Sequence, residues 1–146
     1  MERVKLDFPT DAVIHHHSIS VRVTDMNYGR HLGHDALVSL LHEARLQALM
    51  ALGFPEWDLA GYPSVVADLA VQYQSEARCP DVLVVETAIP NPLGKALSVY
   101  HRVLADEGAR LVATARLNLL VIDPAEGRPV AVPAEVVQAL AKARLC

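Results

Sequence analysis

The chain has 146 residues, of which 52% are hydrophobic and 21% are charged, and its formal net charge is −4 at pH 7. These values fit one globular domain over residues 1–146, and the modest excess of acid excludes the basic surface that nucleic-acid binding requires. No apolar run approaches the ~20 residues that span a bilayer, and the N-terminus lacks the apolar core of a signal peptide, so we expect a cytoplasmic protein without a membrane partner.

The residues that could bind a metal or form a disulfide do not have the spacing for either. Cys79 and Cys146 make neither a metal pair nor a disulfide framework, and we interpret both as incidental thiols. His15 and His17 would share one face of a strand, but a metal site needs a third and usually a fourth ligand. We therefore expect no metal site.

The first predicted element is a strand over residues 13–23, followed by a polar loop. Ile19, Val21 and Val23 alternate with polar residues, which is the period of a half-buried strand. The loop, residues 24–35, carries amides, imidazoles and carboxylates directly before a predicted helix. Unpaired backbone N–H groups and the positive end of the dipole at a helix N-terminus can polarise a carbonyl or stabilise an oxyanion, so this loop is the candidate site.

Residues 35–52 form the predicted central helix, because they contain no glycine or proline and are rich in strong helix formers. Apolar side chains surround most of this helix, which indicates that it is covered on most sides. Gly53 is expected to provide a left-handed C-cap, and Pro55 prevents continuation of the helix.

Four more strands are predicted, followed by a short C-terminal helix. Short gaps with turn residues favour antiparallel hairpins, and the predicted strands cover residues 64–76, 82–89, 96–104 and 110–122. Residues 133–144 are predicted to be helical, with proline in the first turn. The expected architecture is α+β: a five-stranded antiparallel sheet wrapped around one long helix. Strand segments that are apolar on both faces suggest a second cover, for which a partner copy of the chain is the natural candidate.

The loop and helix resemble the hotdog-fold acyl-CoA thioesterases, specifically the 4-hydroxybenzoyl-CoA thioesterase group. Its signature is a strand ending in Val-Arg, a loop of the Asp-x-Asp-x-x-Gly type and a helix with Glu-Ala-Arg; the equivalents here are Val21-Arg22, Asp25-Met26-Asn27 and Glu43-Ala44-Arg45. The resemblance implies a hotdog fold, an acyl-CoA substrate, no cofactor other than the coenzyme A of that substrate, and a homodimer or homotetramer.

The chain departs from the family pattern inside the candidate site. Asn27 stands where the family has the acid that acts on the thioester, and an amide cannot be a general base, although it can hold a water or donate to an oxygen. Arg30 occupies the usual glycine position. His31 matches the histidine of members whose loop reads Gly-His-Val-Asn-Asn, and His34 matches the helix-start position whose N–H polarises the substrate carbonyl.

The missing acid leaves several candidates for activation of water. Asp35, in the first helical turn, is the preferred substitute, although an acid there is also stabilised by the helix dipole alone. Asp25 is the second candidate, with a loop-organising role as its alternative. The third possibility is a water positioned by Asn27 and His34, and the histidine itself has an acid or base role near neutral pH as an alternative to contributing only its N–H.

The residues predicted to bind substrate are Arg30, His31, Glu43 and Asp68. Glu43 has a structural alternative, an ion pair with Arg22 or with Arg45 of a second copy, and Asp68 either borders the substrate tunnel or faces solvent. Loop cations suited to the phosphates of coenzyme A are Arg30, Arg78, Lys95 and Arg128.

The sequence therefore predicts a thioesterase that hydrolyses an acyl-CoA, or less readily an acyl-carrier-protein thioester. The alternative is a hotdog domain that binds acyl-CoA without turnover, because the family's acid is missing. A hotdog dehydratase is disfavoured since the chain has no His-Phe-Pro loop. The acyl preference is not encoded in any local pattern.

Overall fold

The computed structural model describes residues 1–144, so Cys146 lies outside the described residues. The strands and helices, in chain order, are β1 Val13–Ser20, α1 His34–Leu52, β2 Ser64–Tyr73, β3 Val82–Ala88, β4 Ala96–Ala105, β5 Arg110–Val121 and α2 Ala134–Arg144. The predicted order of one strand, a long helix, four strands and a short helix is confirmed.

The five strands form one sheet in the order β1-β3-β4-β5-β2, and every neighbouring pair is antiparallel. The hairpins β3–β4 and β4–β5 build the centre, because the turns between these strands are short. β1 and β2, which flank α1 in sequence, lie at the two edges. The predicted α+β class and hotdog architecture are therefore confirmed.

The core lies between the sheet and α1. Along β4, every second side chain from Leu97 to Ala105 is buried and those between are half-buried, as expected for a strand with one face on the core. The helix contributes a buried stripe in the 3.6-residue period. Its members are Leu37, Leu40, Leu41, Ala44, Arg45, Ala48 and Leu49.

The central helix ends as predicted and begins one residue earlier than predicted. Gly53 has φ of +96°, and its N–H bonds to the carbonyls of Leu49 and Met50, which is the left-handed C-cap that glycine favours. At the other end the helix starts at His34, and Gly33 is its N-cap. His34 therefore belongs to the first helical turn.

The first strand is shorter than predicted. β1 ends at Ser20, and Val23–Asp25 forms a 3₁₀ turn. The Asp25 carboxylate accepts a hydrogen bond from the backbone N–H of Arg22 at 2.8 Å, which bends the chain out of the strand before the alternating pattern ends. The alternation of Val21 and Val23 therefore does not reflect strand structure.

The second strand also ends early, at Tyr73. The N–H groups of Gln74 and Ser75 both bond to the carbonyl of Val112, at 2.8 and 3.1 Å, so the regular ladder with β5 stops there. Residues 74–77 then run beside the loop that follows β1. This departure from the strand brings Glu76 and Ala77 to the candidate site.

The sequence predicts neither a membrane-spanning segment nor a metal site. Over residues 1–144, neither α1 nor α2 is both long and apolar enough to cross a membrane. In the same range, no three His, Cys, Asp or Glu side chains are grouped in a way that could hold a metal ion.

Candidate functional site

An open cleft of about 370 Å³ lies where the loop after β1, the first turns of α1 and the end of β2 meet. The loop and helix supply the side of the cleft that the sequence predicts, and the segment after β2 supplies the opposite side. The lining residues are Asn27, His31, Leu32, His34, Leu37, residues 73–77 and Val112. Three predicted site residues, Asn27, His31 and His34, are therefore brought together.

The N-terminus of α1 opens into this cleft with unpaired backbone donors. The first helical hydrogen bond runs from Leu37 to the carbonyl of Gly33, and Gly33 has no side chain to act as a cap. Within residues 1–144, the N–H groups of His34, Asp35 and Ala36 have no acceptor. These donors and the helix dipole create a positive pole suited to a carbonyl oxygen that gains negative charge.

Asn27 organises the loop through its side-chain oxygen. Its Oδ1 accepts hydrogen bonds from the backbone N–H groups of Gly29, at 2.9 Å, and His31, at 3.3 Å. The backbone of Asn27 also bonds to His31 and Arg30. The side-chain Nδ2 makes no hydrogen bond to the described residues, so it remains available to a water or a substrate oxygen.

Arg30 has a backbone conformation that explains why other family members have glycine there. Its φ is +64°, in the left-handed region, which costs a residue with a Cβ roughly 1–2 kcal/mol. The carbonyl of Asn27 accepts the N–H of Arg30 at 3.0 Å and closes the turn. The Arg30 side chain is exposed and lies outside the cleft lining.

His31 lies against Glu76 across the cleft. Its Nε2 lies 2.9 Å from Oε2 of Glu76, and the neighbouring Leu32 donates its N–H to the carbonyl of Ala77 at 2.7 Å. Sequence analysis missed Glu76, because the prediction places it as the last residue of a strand over residues 64–76 and it lies far along the chain from the loop. No local pattern marks it, since the contact depends on the early end of β2.

Tyr73 joins the end of β2 to the first turn of α1. Its hydroxyl donates to the carbonyl of His34 at 2.9 Å. Burial raises the pKa of Tyr73, and the negative charge of Asp35 raises it further. The carboxylate of Asp35 therefore lies close enough to act on the phenol electrostatically, although Asp35 itself is exposed and does not line the cleft.

Asp25 is buried and fully engaged by Arg22. Its Oδ2 accepts from the backbone N–H and from Nε of Arg22, at 2.8 and 3.1 Å, and its Oδ1 accepts from Nη2 at 2.9 Å. The hydrogen bonds from Arg22 hold the pKa of Asp25 below its ordinary value. The carbonyl of Asp25 also accepts the N–H of Gly33 at 3.0 Å. These contacts match the loop-organising role that was the alternative to catalysis.

Glu43 and Asp68 lie away from the cleft. Glu43 is exposed on α1 and accepts a hydrogen bond from Nε2 of Gln47 at 3.0 Å. Asp68 accepts a hydrogen bond from Nδ2 of Asn118 at 2.8 Å, on the face of the sheet opposite α1. Within one copy of the chain, neither carboxylate contacts the loop or the helix N-terminus.

The fold and this site define a hotdog protein with an open cleft at the start of its central helix. The family model of the thioesterase-like superfamily matches residues 21–140. The chain belongs to that superfamily, and the prediction of a thioester hydrolase is confirmed at the level of the family.

Known proteins that resemble the chain are consistent with this membership. A curated relative, the L-carnitine dehydrogenase/betainyl-CoA thioesterase of Agrobacterium fabrum, is 25% identical over 139 residues, which are 94% of this chain and 28% of that protein. The chain thus spans well under half of this relative's length.

Solved structures show the same fold. A putative thioesterase from Pseudomonas aeruginosa has a TM-score of 0.77 at 26% identity, covering 88% of this chain and 98% of that one. A 1,4-dihydroxy-2-naphthoyl-CoA thioesterase from Synechocystis has a TM-score of 0.78 at 16% identity, covering 86% and 94%. A Staphylococcus aureus protein solved in complex with CoA has a TM-score of 0.80 at 17% identity, covering 91% and 84%.

Proposed function

We propose that the protein hydrolyses an acyl-CoA thioester to a free acid and coenzyme A in the cytoplasm. The observation that carries this proposal is the start of α1, where, within residues 1–144, the backbone N–H groups of His34, Asp35 and Ala36 have no acceptor. His34 lines the cleft together with Asn27 and His31. A thioester carbonyl placed at these donors would be polarised toward attack by water.

The transition state of this reaction carries a negative charge on the former carbonyl oxygen. Backbone donors at a helix N-terminus stabilise that charge without having to reorganise, because the helix fixes their direction. Nδ2 of Asn27 is a further donor at the same cleft, able to hold the attacking water or the oxyanion. No metal or redox cofactor is required for this chemistry.

Coenzyme A is the proposed carrier of the acyl group. The Staphylococcus aureus protein of similar fold was solved with CoA, and the A. fabrum relative is named for a CoA thioester. Arg30 lies at the rim of the loop with an exposed side chain and is a suitable partner for a phosphate. In one copy of the chain the cleft has a volume of about 370 Å³, which lies within the usual range of ligand pockets.

We also propose that a second copy of the chain covers the edge strand β2. Within residues 1–144, no strand pairs with its outer edge, and four of its large apolar side chains are exposed: Val65, Val66, Leu69 and Tyr73. Such an edge favours pairing with another strand, and a homodimer formed through β2 would bury these side chains. Because Tyr73 also lines the cleft, this interface would adjoin the site.

A non-catalytic acyl-CoA-binding protein is the second candidate, favoured by the replacement of the family's acid with Asn27. Both candidates need the cleft and the helix N-terminus, and they differ only in whether a base activates water. Turnover therefore separates them, and binding alone does not.

The test is release of free CoA thiol by the purified full chain from short, long, aromatic, cationic and dicarboxylic acyl-CoAs. A thioesterase turns over at least one member of the panel with saturation kinetics. If the protein binds acyl-CoA without turnover of any member, the non-catalytic function is correct. If it neither binds nor hydrolyses any member, both proposals fail.

A further inference from the structure

We propose that His31 is the general base of the reaction and that Glu76 is the residue that positions it. This inference depends on the proposed thioesterase function and supplies the group that the missing acid at Asn27 leaves open. It rests on the contact between His31 and Glu76 that joins the loop to the segment after β2.

The contact with Glu76 determines which nitrogen of a neutral His31 is free. Because a carboxylate accepts hydrogen bonds, Glu76 at 2.9 Å from Nε2 favours the proton on that nitrogen. Nδ1 then keeps its lone pair and can accept a proton from water. The same arrangement of carboxylate, imidazole and attacking group activates nucleophiles in unrelated enzymes.

Nδ1 faces a part of the loop that has no side chain. A Cβ placed on Gly29 would lie 4.0 Å from Nδ1 of His31 and 3.3 Å from Oδ1 of Asn27. A side chain at position 29 would therefore crowd Asn27 and border Nδ1 of His31, and glycine leaves both groups uncovered. Because Asn27 and His31 both line the cleft, a water in the cleft could approach the imidazole and the amide of Asn27 together.

Other titratable groups at the cleft are less suited to act as the base. Asp25 already accepts three hydrogen bonds from Arg22, which stabilise its charged and weakly basic form. The hydroxyl of Tyr73 is engaged as a donor to His34. Among the side chains lining the cleft in the described chain, His31 is the imidazole that has a carboxylate partner.

The proposed step balances without a co-reactant. Nδ1 of His31 takes one proton from water as the water oxygen bonds to the thioester carbon, and the carbonyl oxygen becomes an oxyanion at the α1 N-terminus. The oxyanion then re-forms the carbonyl, the C–S bond breaks, and the proton on Nδ1 passes to the departing sulfur. The products are the free acid and the CoA thiol, and the imidazole is neutral again.

The experiment compares variants with the acyl-CoA that the wild-type chain hydrolyses best. His31→Ala should reduce kcat by about 100-fold or more and leave KM within about threefold, because general-base catalysis contributes that much. Added imidazole should restore part of the lost kcat in a saturable manner, since it would occupy the space left by the ring. Glu76→Gln should reduce kcat about tenfold, and Glu76→Asp should recover most of it.

A matched pair elsewhere in the chain provides the control. His16 lies 3.2 Å from Glu86 on the outer part of the sheet, far in sequence from the cleft, so His16→Gln removes a histidine–carboxylate contact without touching the site. This variant should keep the wild-type kcat and KM. His31→Gln, which keeps the size of the ring more closely, replaces His31→Ala if the latter does not fold.

The results separate this inference from the proposed function. Wild-type turnover with a fully active and folded His31 variant overturns the inference and leaves the thioesterase intact. Loss in His31→Ala without imidazole rescue, together with an equal loss in Asp35→Asn, would assign the base to Asp35. If the wild-type chain has no turnover on the whole panel, it is the proposed function that fails.

Discussion

Both carboxylate oxygens of Glu56 accept hydrogen bonds from the guanidinium of Arg45, at 3.0 and 3.1 Å, in the middle of the central helix's buried side. The Arg45 side chain is 6% exposed and that of Glu56 16% exposed. Arg45 lies on α1 and Glu56 lies in the segment that follows the helix. Their ion pair therefore holds that segment against the buried side of the helix.

Removing one member of this pair should strongly destabilise the fold. Arg45→Ala leaves a carboxylate without its partner in a largely desolvated place, and we expect the free energy of unfolding to fall by about 3–5 kcal/mol. Urea unfolding followed by circular dichroism at one fixed protein concentration measures the change. The double variant Arg45→Met/Glu56→Leu should recover most of the loss; a double variant as unstable as Arg45→Ala would show that the charges themselves are needed.

His101 should make stability depend on pH. It lies in the core with Nδ1 2.9 Å from Oγ1 of Thr87, and burial, with the positive charge of Arg45, lowers the pKa of His101 to about 3. Between pH 3 and about 6.5 the unfolded chain binds one proton more than the folded chain, so stability falls as the pH falls through that window.

His101 should lower the free energy of unfolding by about 1.4 kcal/mol for each pH unit that the pH falls below 6. Unfolding by urea between pH 4.5 and 7 measures it, above the range in which most carboxylates titrate. His101→Leu should flatten the dependence of the free energy of unfolding on pH. His16→Gln removes an imidazole that is 61% exposed and should leave that dependence unchanged. An unchanged slope in the His101 variant would contradict the assignment of a neutral buried imidazole.

Asn27 should matter through its side-chain oxygen as well as its nitrogen. Asn27→Ala removes the acceptor for the N–H groups of Gly29 and His31, and we expect kcat/KM to fall by roughly tenfold or more, the equivalent of at least one hydrogen bond. Asn27→Asp keeps the acceptor and restores the family's acid, so it should retain activity within about threefold of wild type. Steady-state thiol release distinguishes the two, and equal losses in both variants would mean that Nδ2 is the essential atom.

Asp25 should support the loop at neutral pH and lose that role in acid. Because Arg22 lowers the pKa of Asp25 in the folded chain, the stabilisation is complete above the ordinary carboxyl pKa of about 3.9 and is lost as the pH falls through the lower, folded value. Asp25→Asn should therefore lower the midpoint of thermal unfolding at pH 7, and the difference from wild type should shrink below pH 4. A difference that stays constant down to pH 2 would rule out an ionic contribution.

The free edge of β2 should control assembly. Val66→Lys places a charge on an exposed apolar position of that edge and should shift the protein toward the monomer in light scattering coupled to size exclusion. Ser18→Lys places the same charge on β1, the opposite edge strand, and should leave assembly unchanged. Dissociation by the Ser18 variant alone would place the interface at β1 instead.

Local patterns predicted the helices and the strand order along the chain, and they missed what depends on contacts between distant residues. Residues 35–52 are rich in helix formers and Gly53 is a C-cap, and both are local properties of the sequence. The bounds of α1 therefore agree with the prediction to within one residue. The ends of β1 and β2 were placed too late because the bonds of Asp25 to Arg22 and the shared carbonyl of Val112 stop the ladders.

The candidate site was predicted in part for the same reason. Asn27, His31 and His34 are close in sequence, so the loop brings them together without help from the rest of the fold. Glu76 reaches His31 only after β2 has paired with β5, and Glu56 reaches Arg45 only after the chain turns beyond Gly53. Contacts between residues so far apart along the chain leave no periodic pattern in the sequence.

The position of β1 and β2 at the two edges of the sheet has a consequence for how the chain folds during synthesis. The helix and both edge strands leave the ribosome before β3, β4 and β5. The apolar side chains of α1 therefore remain exposed until these three strands have been synthesised. The β2–β5 ladder closes a loop from Tyr73 to Ala113 at its nearest pair and from Ser64 to Val121 at its farthest. Such non-local pairing slows folding to roughly milliseconds or longer and leaves the nascent N-terminal half in need of protection until β5 is complete.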